Sequence, residues 1–200
     1  MFAYCLNNPI LGIDSSGKRT YFINGINNED ESGSPSYAEK FAQSLTDLGI
    51  SDVRTVPAYN GQKGFFGILR GVIEVIGEMV NLQIYSQRIA QTILDDLEND
   101  PLAEGEQLNL IGYSGGGQLA LNVMEILNGK VDNVILIGAP IAECWNSATT
   151  VSMIYAGWDP LSWNVGFGYD TYFAGWIGHT DYFNSDNIEN VATMVGNLIN

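Results

Sequence analysis

Three polar side chains of complementary chemistry stand far apart along the chain: Ser114, Asp159 and His179. A serine hydroxyl is a poor nucleophile at neutral pH and needs a base within hydrogen-bond reach. An imidazole can take that proton and return it to a leaving group. A carboxylate fixes the imidazole tautomer and stabilises the imidazolium that forms. His179 is the single histidine of the chain, so it alone can serve as that base. Asp159, within Gly157-Trp158-Asp159-Pro160, is the expected carboxylate. Asp181 is the alternative but sits close beside His179 in sequence, and Asp170 and Asp186 stand behind it.

The serine sits at the end of Leu108-Asn109-Leu110-Ile111-Gly112-Tyr113-Ser114-Gly115-Gly116-Gly117. An apolar run stops abruptly, and a helical pattern follows with Leu119, Val123, Ile126 and Leu127 on one face. Strand, sharp turn and helix form the context in which Gly-x-Ser-x-Gly means a nucleophile elbow. Side chains two positions before and after the nucleophile would collide where strand and helix cross, and Gly112 and Gly116 remove them. Ser114 then stands at a helix start whose N–H groups favour developing negative charge. The pattern has a rival, because Gly115-Gly116-Gly117-Gln118-Leu119-Ala120 fits the dinucleotide fingerprint Gly-x-Gly-x-x-Gly/Ala. That fingerprint needs an acid at the end of the next strand, to bind the ribose. The next strand, Asn133 to Ile137, ends in Gly138-Ala139-Pro140, and Asp132 lies at its wrong end.

An oxyanion formed at Ser114 needs preorganised donors. The N–H of Gly115 is the expected first donor and that of Ile26, after the first strand, the second. Tyr113, Trp158 and Trp163, with Phe65 and Phe66, are candidates for an apolar substrate pocket. Ordinary core packing explains such aromatics equally well.

These residues need elements to carry them, and strand and helix patterns alternate from end to end. Thr20 to Asn24 reads as a buried strand. A helix follows, with a Ser36…Glu39 capping box, a stripe of Tyr37, Phe41, Leu45 and Leu48, and Gly49 at its end. Val53 to Val56, Asn133 to Ile137 and Thr150 to Ala156 read as further strands. Leu82, Tyr85, Ile89, Ile93 and Leu97 form another helical stripe, as do Ile188, Val191, Val195 and Leu198. Residues 161–178 read as a loop. The alternation predicts an α/β chain: a mostly parallel sheet of five to six strands between two helical layers, with order 2-1-3-4-5. A more apolar segment, Gly64 to Ile84, carries only Arg70, Glu74 and Glu78 as charges, and suits a core helix or a lid over an acyl pocket.

The chain has 200 residues, which suits one domain, and 46% of them are hydrophobic. Its net charge of −15, with eight basic residues, repels phosphate backbones and gives no attraction to anionic membranes. Nucleic acid is therefore not an expected partner; a small-molecule or lipid ester is, with transient contact at a lipid interface. Cys5 and Cys144 form neither a metal spacing nor a disulfide framework, so no metal and no cofactor are expected. No signal peptide or membrane-spanning segment is legible.

The serine elbow, the Gly-Trp-Asp-Pro at 157–160 and the Gly-His-Thr-Asp-Tyr at 178–182 together resemble the smaller lipases and esterases of the α/β-hydrolase superfamily, from about Thr20 onward. The resemblance implies a minimal α/β-hydrolase domain over residues 19–200, without a separate cap domain, and an acyl-enzyme on Ser114. The His-Gly that follows the first central strand in many members is Asn24-Gly25 here. Residues 2–17, through Tyr4, Asn7, Asn8, Pro9, Asp14 and Gly17, resemble the end of the core of rearrangement-hotspot (RHS) repeat proteins, with Asp-Ser in place of the usual Asp-Pro. That resemblance implies that residues 1–18 are a tail and the rest a C-terminal effector module of a larger, exported or surface-associated protein. A hydrolase fold used only for binding, and a thioesterase or peptidase with the same three residues, remain open alternatives.

Overall fold

Uninterrupted apolar runs must be covered on both faces, and a parallel sheet between two helical layers does so. A computed structural model describes residues 17–25, 36–56, 83–140, 149–162 and 170–200. Within them lie six strands: β1 (Lys18–Ile23), β2 (Asp52–Val56), β3 (Gln107–Tyr113), β4 (Asn133–Ile137), β5 (Thr150–Tyr155) and β6 (Asp170–Phe173). They form one sheet in the order β2-β1-β3-β4-β5-β6, and every pairing is parallel. The central strands β1, β3, β4 and β5 are buried along almost their whole length. The edge strands β2 and β6 carry the polar and exposed positions.

Among the described residues, four helices cover this sheet: α1 (Tyr37–Asp47), α2 (Ile84–Asn99), α3 (Gly115–Leu127) and α4 (Ile188–Leu198). Alternate strand residues point to opposite faces. Tyr21, Ile23, Leu108, Leu110, Val134 and Leu136 therefore pack with Ile89 and Ile93 of α2 and Leu119 and Val123 of α3. Phe22, Ile111, Ile135 and Ile154 pack with Phe41 and Leu45 of α1 and Val191 and Val195 of α4. The α1 start is a complete capping box: the Glu39 N–H donates to Ser36 Oγ, and the Ser36 N–H donates to Glu39 Oε2 at 2.7 Å.

The expected architecture and strand order are those observed, with two differences. Residues 161–178, expected as loop, contain β6. Its four residues are mostly exposed at a sheet edge, so they lack the apolar alternation that marks a strand in sequence. Helix α3, expected to bury one stripe, is buried on nearly every side, because it crosses the middle of the sheet. The tail at residues 2–16, the apolar segment around 64–80, Ile26, Phe65, Phe66 and Trp163 lie outside the described residues. Among the described residues, no helix is long and apolar enough to cross a membrane.

The amino ends of the strands are held by charge. Arg19, only 1% exposed, donates through Nε to Asp52 Oδ2 at 2.8 Å and through its guanidinium to the Asp100 carbonyl and carboxylate. Arg54 joins Asp52, Asp96 and Asp100, and the Tyr21 hydroxyl donates to Asp96. Burial opposes ionisation of Asp96, but bonds from Tyr21 and Arg54 outweigh it and hold its carboxyl below the usual range. This network ties β1 and β2 to the end of α2, away from the rim where Ser114 lies. Removing one member of a buried ion network strands its partners. Arg19→Ala is expected to lower unfolding free energy by roughly 3 kcal/mol in urea titration; a loss under about 1 kcal/mol is what an exposed pair would give.

Candidate active site

In an open α/β sheet the residues just past the carboxyl ends of the strands converge on one rim. Ser114 follows β3 there, with its N–H donating to the Ile137 carbonyl at 3.0 Å. Its backbone is left-handed in φ, at +53°, a strained conformation for a side-chain-bearing residue. The sterics around it explain the flanking glycines. A Cβ at Gly116 would lie 2.3 Å from the Ile23 carbonyl oxygen, and one at Gly112 would lie 2.5 Å from the Gly116 carbonyl oxygen. No side chain fits at either, so the turn can form only where both positions are bare.

Asp159 and His179 meet because the β5–β6 pairing continues beyond the strands. The Ala174 N–H donates to Tyr155 O at 2.8 Å, Gly157 N–H to Gly175 O at 2.9 Å and Trp158 N–H to Ile177 O at 3.2 Å. Trp158 and Gly178 then form a parallel bridge. The next residue on each side of that bridge is Asp159 and His179. His179 Nε2 lies 2.9 Å from Ser114 Oγ, and His179 Nδ1 lies 3.0 Å from Asp159 Oδ2. A carboxylate only accepts, so Nδ1 carries the proton and Nε2 is left to accept from the serine hydroxyl. The structure thus joins the three residues picked out in sequence into one hydrogen-bonded chain.

The carboxylate is fully buried, while the imidazole is 23% exposed. Burial alone would raise the Asp159 pKa. It is outweighed by the hydrogen bond and charge of His179, the Tyr182 hydroxyl at 3.0 Å on Oδ2 and the Leu161 N–H at 3.0 Å on Oδ1, which together hold the carboxyl below its usual range. The turn Pro160–Ser162 supplies the last of these donors, and Ser162 Oγ donates to the Asp159 carbonyl at 2.9 Å.

The remaining candidates have other surroundings. Asp181 Oδ2 accepts the Gly178 N–H at 3.0 Å and so braces the turn that carries His179. Asp170 opens β6, and Asp186 accepts from Ser185. Asp132 takes the Leu108 N–H at 2.8 Å, at the amino end of the sheet and remote from Gly115–Gly117. Tyr113, expected in a pocket, is buried: its ring stacks on the imidazole at 5.3 Å, and its hydroxyl donates to the His179 carbonyl at 2.7 Å. Trp158 is exposed, at 67%, and meets Trp176, exposed at 71%, with ring centres 5.7 Å apart. Phe173 continues this aromatic ridge. Gly115 is the first residue of α3, directly after Ser114. The Leu161 N–H was not singled out in sequence, and Tyr182 stood there only as the last residue of the Gly-His-Thr-Asp-Tyr motif, with no role given to it.

No protein-family model matches the chain, and no curated protein matches it in sequence. Solved structures do resemble it. A lipase-esterase related protein from Clostridium acetobutylicum is 13% identical, with 93% of this chain and 96% of that chain covered, at a TM-score of 0.57. A dienelactone hydrolase-like promiscuous phosphotriesterase from metagenomic libraries is 16% identical over 91% of this chain and 84% of that chain, at 0.60. A cutinase from Trichoderma reesei, in complex with a phosphonate inhibitor, is 18% identical over 92% and 77%, at 0.55. At these identities the likeness is one of architecture, and it defines the α/β-hydrolase fold.

Two outcomes test the site's physical description. Gly116→Ala forces a Cβ against backbone and is expected to destabilise the protein by about 1–3 kcal/mol in thermal melts. A group with a depressed folded pKa contributes stability that is complete above its unfolded value, near 3.9 for an aspartate, and lost as pH falls through the folded value. Wild-type protein is therefore expected to lose more stability than Asp159→Asn as pH is lowered from about 5 to about 2. Equal losses in the two proteins would contradict the depressed carboxyl.

Proposed function

We propose that the protein is a serine hydrolase of carboxylic esters that works through an acyl-enzyme on Ser114. The observation that carries this reading is the unbroken chain from Ser114 Oγ through both imidazole nitrogens to a buried, ionised carboxylate. Each residue takes the role its contacts suit. Ser114 Oγ attacks the ester carbonyl carbon while its proton passes to His179 Nε2. Asp159 stabilises the imidazolium. The bond to the alkoxy group breaks as Nε2 returns the proton to the departing oxygen, and an acyl-serine remains. Water, deprotonated by His179 Nε2, then attacks the acyl carbon; the bond to Ser114 Oγ breaks as Nε2 returns that proton to it, and the acid is released. The Gly115 N–H, with that of Ile26, holds the oxyanion at each tetrahedral stage.

Substrate class follows from what surrounds the rim. Exposed Trp158, Trp176, Phe173 and Leu161 favour an apolar acyl or aryl group. A net charge of −15 disfavours anionic substrates. A lipase- or esterase-like activity fits both, and the likeness to a lipase-esterase related protein and a cutinase agrees with it. The sequence of residues 2–17 supports placing this activity in the C-terminal effector module of a larger exported protein, with a phospholipase-like enzyme as its specific form.

A fluorophosphonate probe reports an activated serine independently of the natural substrate. Wild-type protein is expected to label at Ser114 and Ser114→Ala to remain unlabelled. Asp159→Asn, which upsets the tautomer, is expected to slow hydrolysis of p-nitrophenyl butyrate by about 10⁴-fold. Wild-type protein that reacts no faster than Ser114→Ala would exclude the reading.

A further inference from the structure

Two tyrosines flank the His179–Asp159 pair: Tyr113 lies against the imidazole, and Tyr182 bears on the reaction through Asp159. Tyr182 is fully buried, three positions after the histidine. Its hydroxyl donates to Asp159 Oδ2, the same oxygen that accepts His179 Nδ1, each at 3.0 Å. Two donors at one oxygen fix the carboxylate in rotation as well as in position, because Leu161 N–H holds the other oxygen. The site is built tightly around this pair. A Cβ at Gly138, at the end of β4, would lie 2.7 Å from Asp159 Oδ2 and 2.7 Å from Tyr182 Cε2. On the imidazole's own side, Tyr113 stacks against the ring and binds the His179 carbonyl. Tyr113 and Tyr182 also meet edge-to-face, with ring centres 6.2 Å apart.

We propose that Tyr182 is a positioning residue for the reaction, which sets the orientation and charge of Asp159 and through it the proton affinity of the His179–Asp159 pair. This inference rests on the serine-hydrolase reading above. The physical argument is a division of charge. A hydroxyl on Oδ2 draws off part of the negative charge that would otherwise face the imidazole. It also satisfies a buried carboxylate while the imidazole is neutral, when the Nδ1–H bond is weakest. Burial, with the nearby Asp159 charge, pushes the Tyr182 phenol well above its ordinary value, against a smaller lowering from Ser162, so it stays a donor. The titratable groups around Asp159, among the described residues, are His179, Tyr182 and Tyr113; Asp181 faces Tyr113 and is tied to the Gly178 N–H.

Without the Tyr182 hydroxyl, Oδ2 carries more charge and is less fixed. The imidazolium is then held more strongly and the carboxylate is easier to protonate. Both effects move the acid limb of the rate profile to higher pH. Looser positioning lowers the plateau rate. A role confined to packing would instead lower thermal stability and leave both kinetic features unchanged.

The test is a double-mutant cycle read with a fluorophosphonate probe and with p-nitrophenyl butyrate. Tyr182→Phe, which keeps the ring, is expected to lower kcat about tenfold at unchanged KM. It is also expected to slow labelling to a similar degree and to shift the acid limb upward. In an Asp159→Asn background the same substitution is expected to change nothing, because its effect runs through the carboxylate. 3-Fluorotyrosine incorporated at position 182 preserves packing and strengthens the donor, and is expected to move the acid limb downward. This variant decides the matter if Tyr182→Phe fails to fold. Labelling of wild-type protein with no change of rate or limb in Tyr182→Phe overturns the inference, as does an equal effect in both backgrounds. An unreactive wild-type protein would instead overturn the serine-hydrolase reading itself.

Discussion

The site depends on a close contact between backbones. Where β3 gives way to α3, the helix start passes so near the end of β1 that position 116 cannot carry even a methyl group. That approach turns the chain through Ser114 with φ at +53° and leaves the serine at the tip. The strain of such a conformation, on the order of 1–3 kcal/mol, persists only where surrounding packing over-determines it. Here it does: β3 is buried between β1 and β4, and α3 is buried on nearly every side. A bare glycine pair, a strained serine and an enclosed helix are thus three aspects of one packing constraint.

The second constraint acts on the other two residues. Asp159 and His179 leave from neighbouring strands, β5 and β6, and the hydrogen bonds that pair those strands continue through Trp158 and Gly178. The acid and base therefore inherit their spacing from a sheet register, which is stiffer than a loop conformation. Behind them the carboxylate is buried with a full set of donors, whereas the serine and imidazole face the rim. Charge elsewhere is kept at a distance: the Arg19 and Arg54 network with Asp52, Asp96 and Asp100 closes the amino ends of the strands. The two ends of one sheet thus differ: an ion network closes one, and the hydrogen-bonded chain of Ser114, His179 and Asp159 stands at the other.

Much of this was legible in the sequence, for reasons that also explain the gaps. The central strands are buried on both faces, so they read as apolar runs, and the elbow reads clearly because its glycines are a steric necessity. Ser114, His179 and Asp159 could be singled out because few residue types offer their chemistry, and the chain has one histidine. Strand β6 was not legible, since an exposed edge of four residues has no apolar pattern. Tyr182 was not legible either. It closes the Gly-His-Thr-Asp-Tyr motif, but nothing in that motif gives it a role, and only the fold shows that its hydroxyl reaches Asp159 across 23 positions. Tyr113 stood out as an aromatic beside the serine, but its stacking beneath the imidazole depends on a loop 66 residues away.

In the proposed reaction a covalent acyl group forms on Ser114 and is then released to water. Pre-steady-state mixing with p-nitrophenyl acetate, followed by acid quenching and peptide mass analysis, tests it most directly. The account predicts a burst of about one p-nitrophenolate per protein and an acetyl mass on the peptide holding Ser114. Turnover of the ester with no acyl group on that serine under any quench time would contradict it.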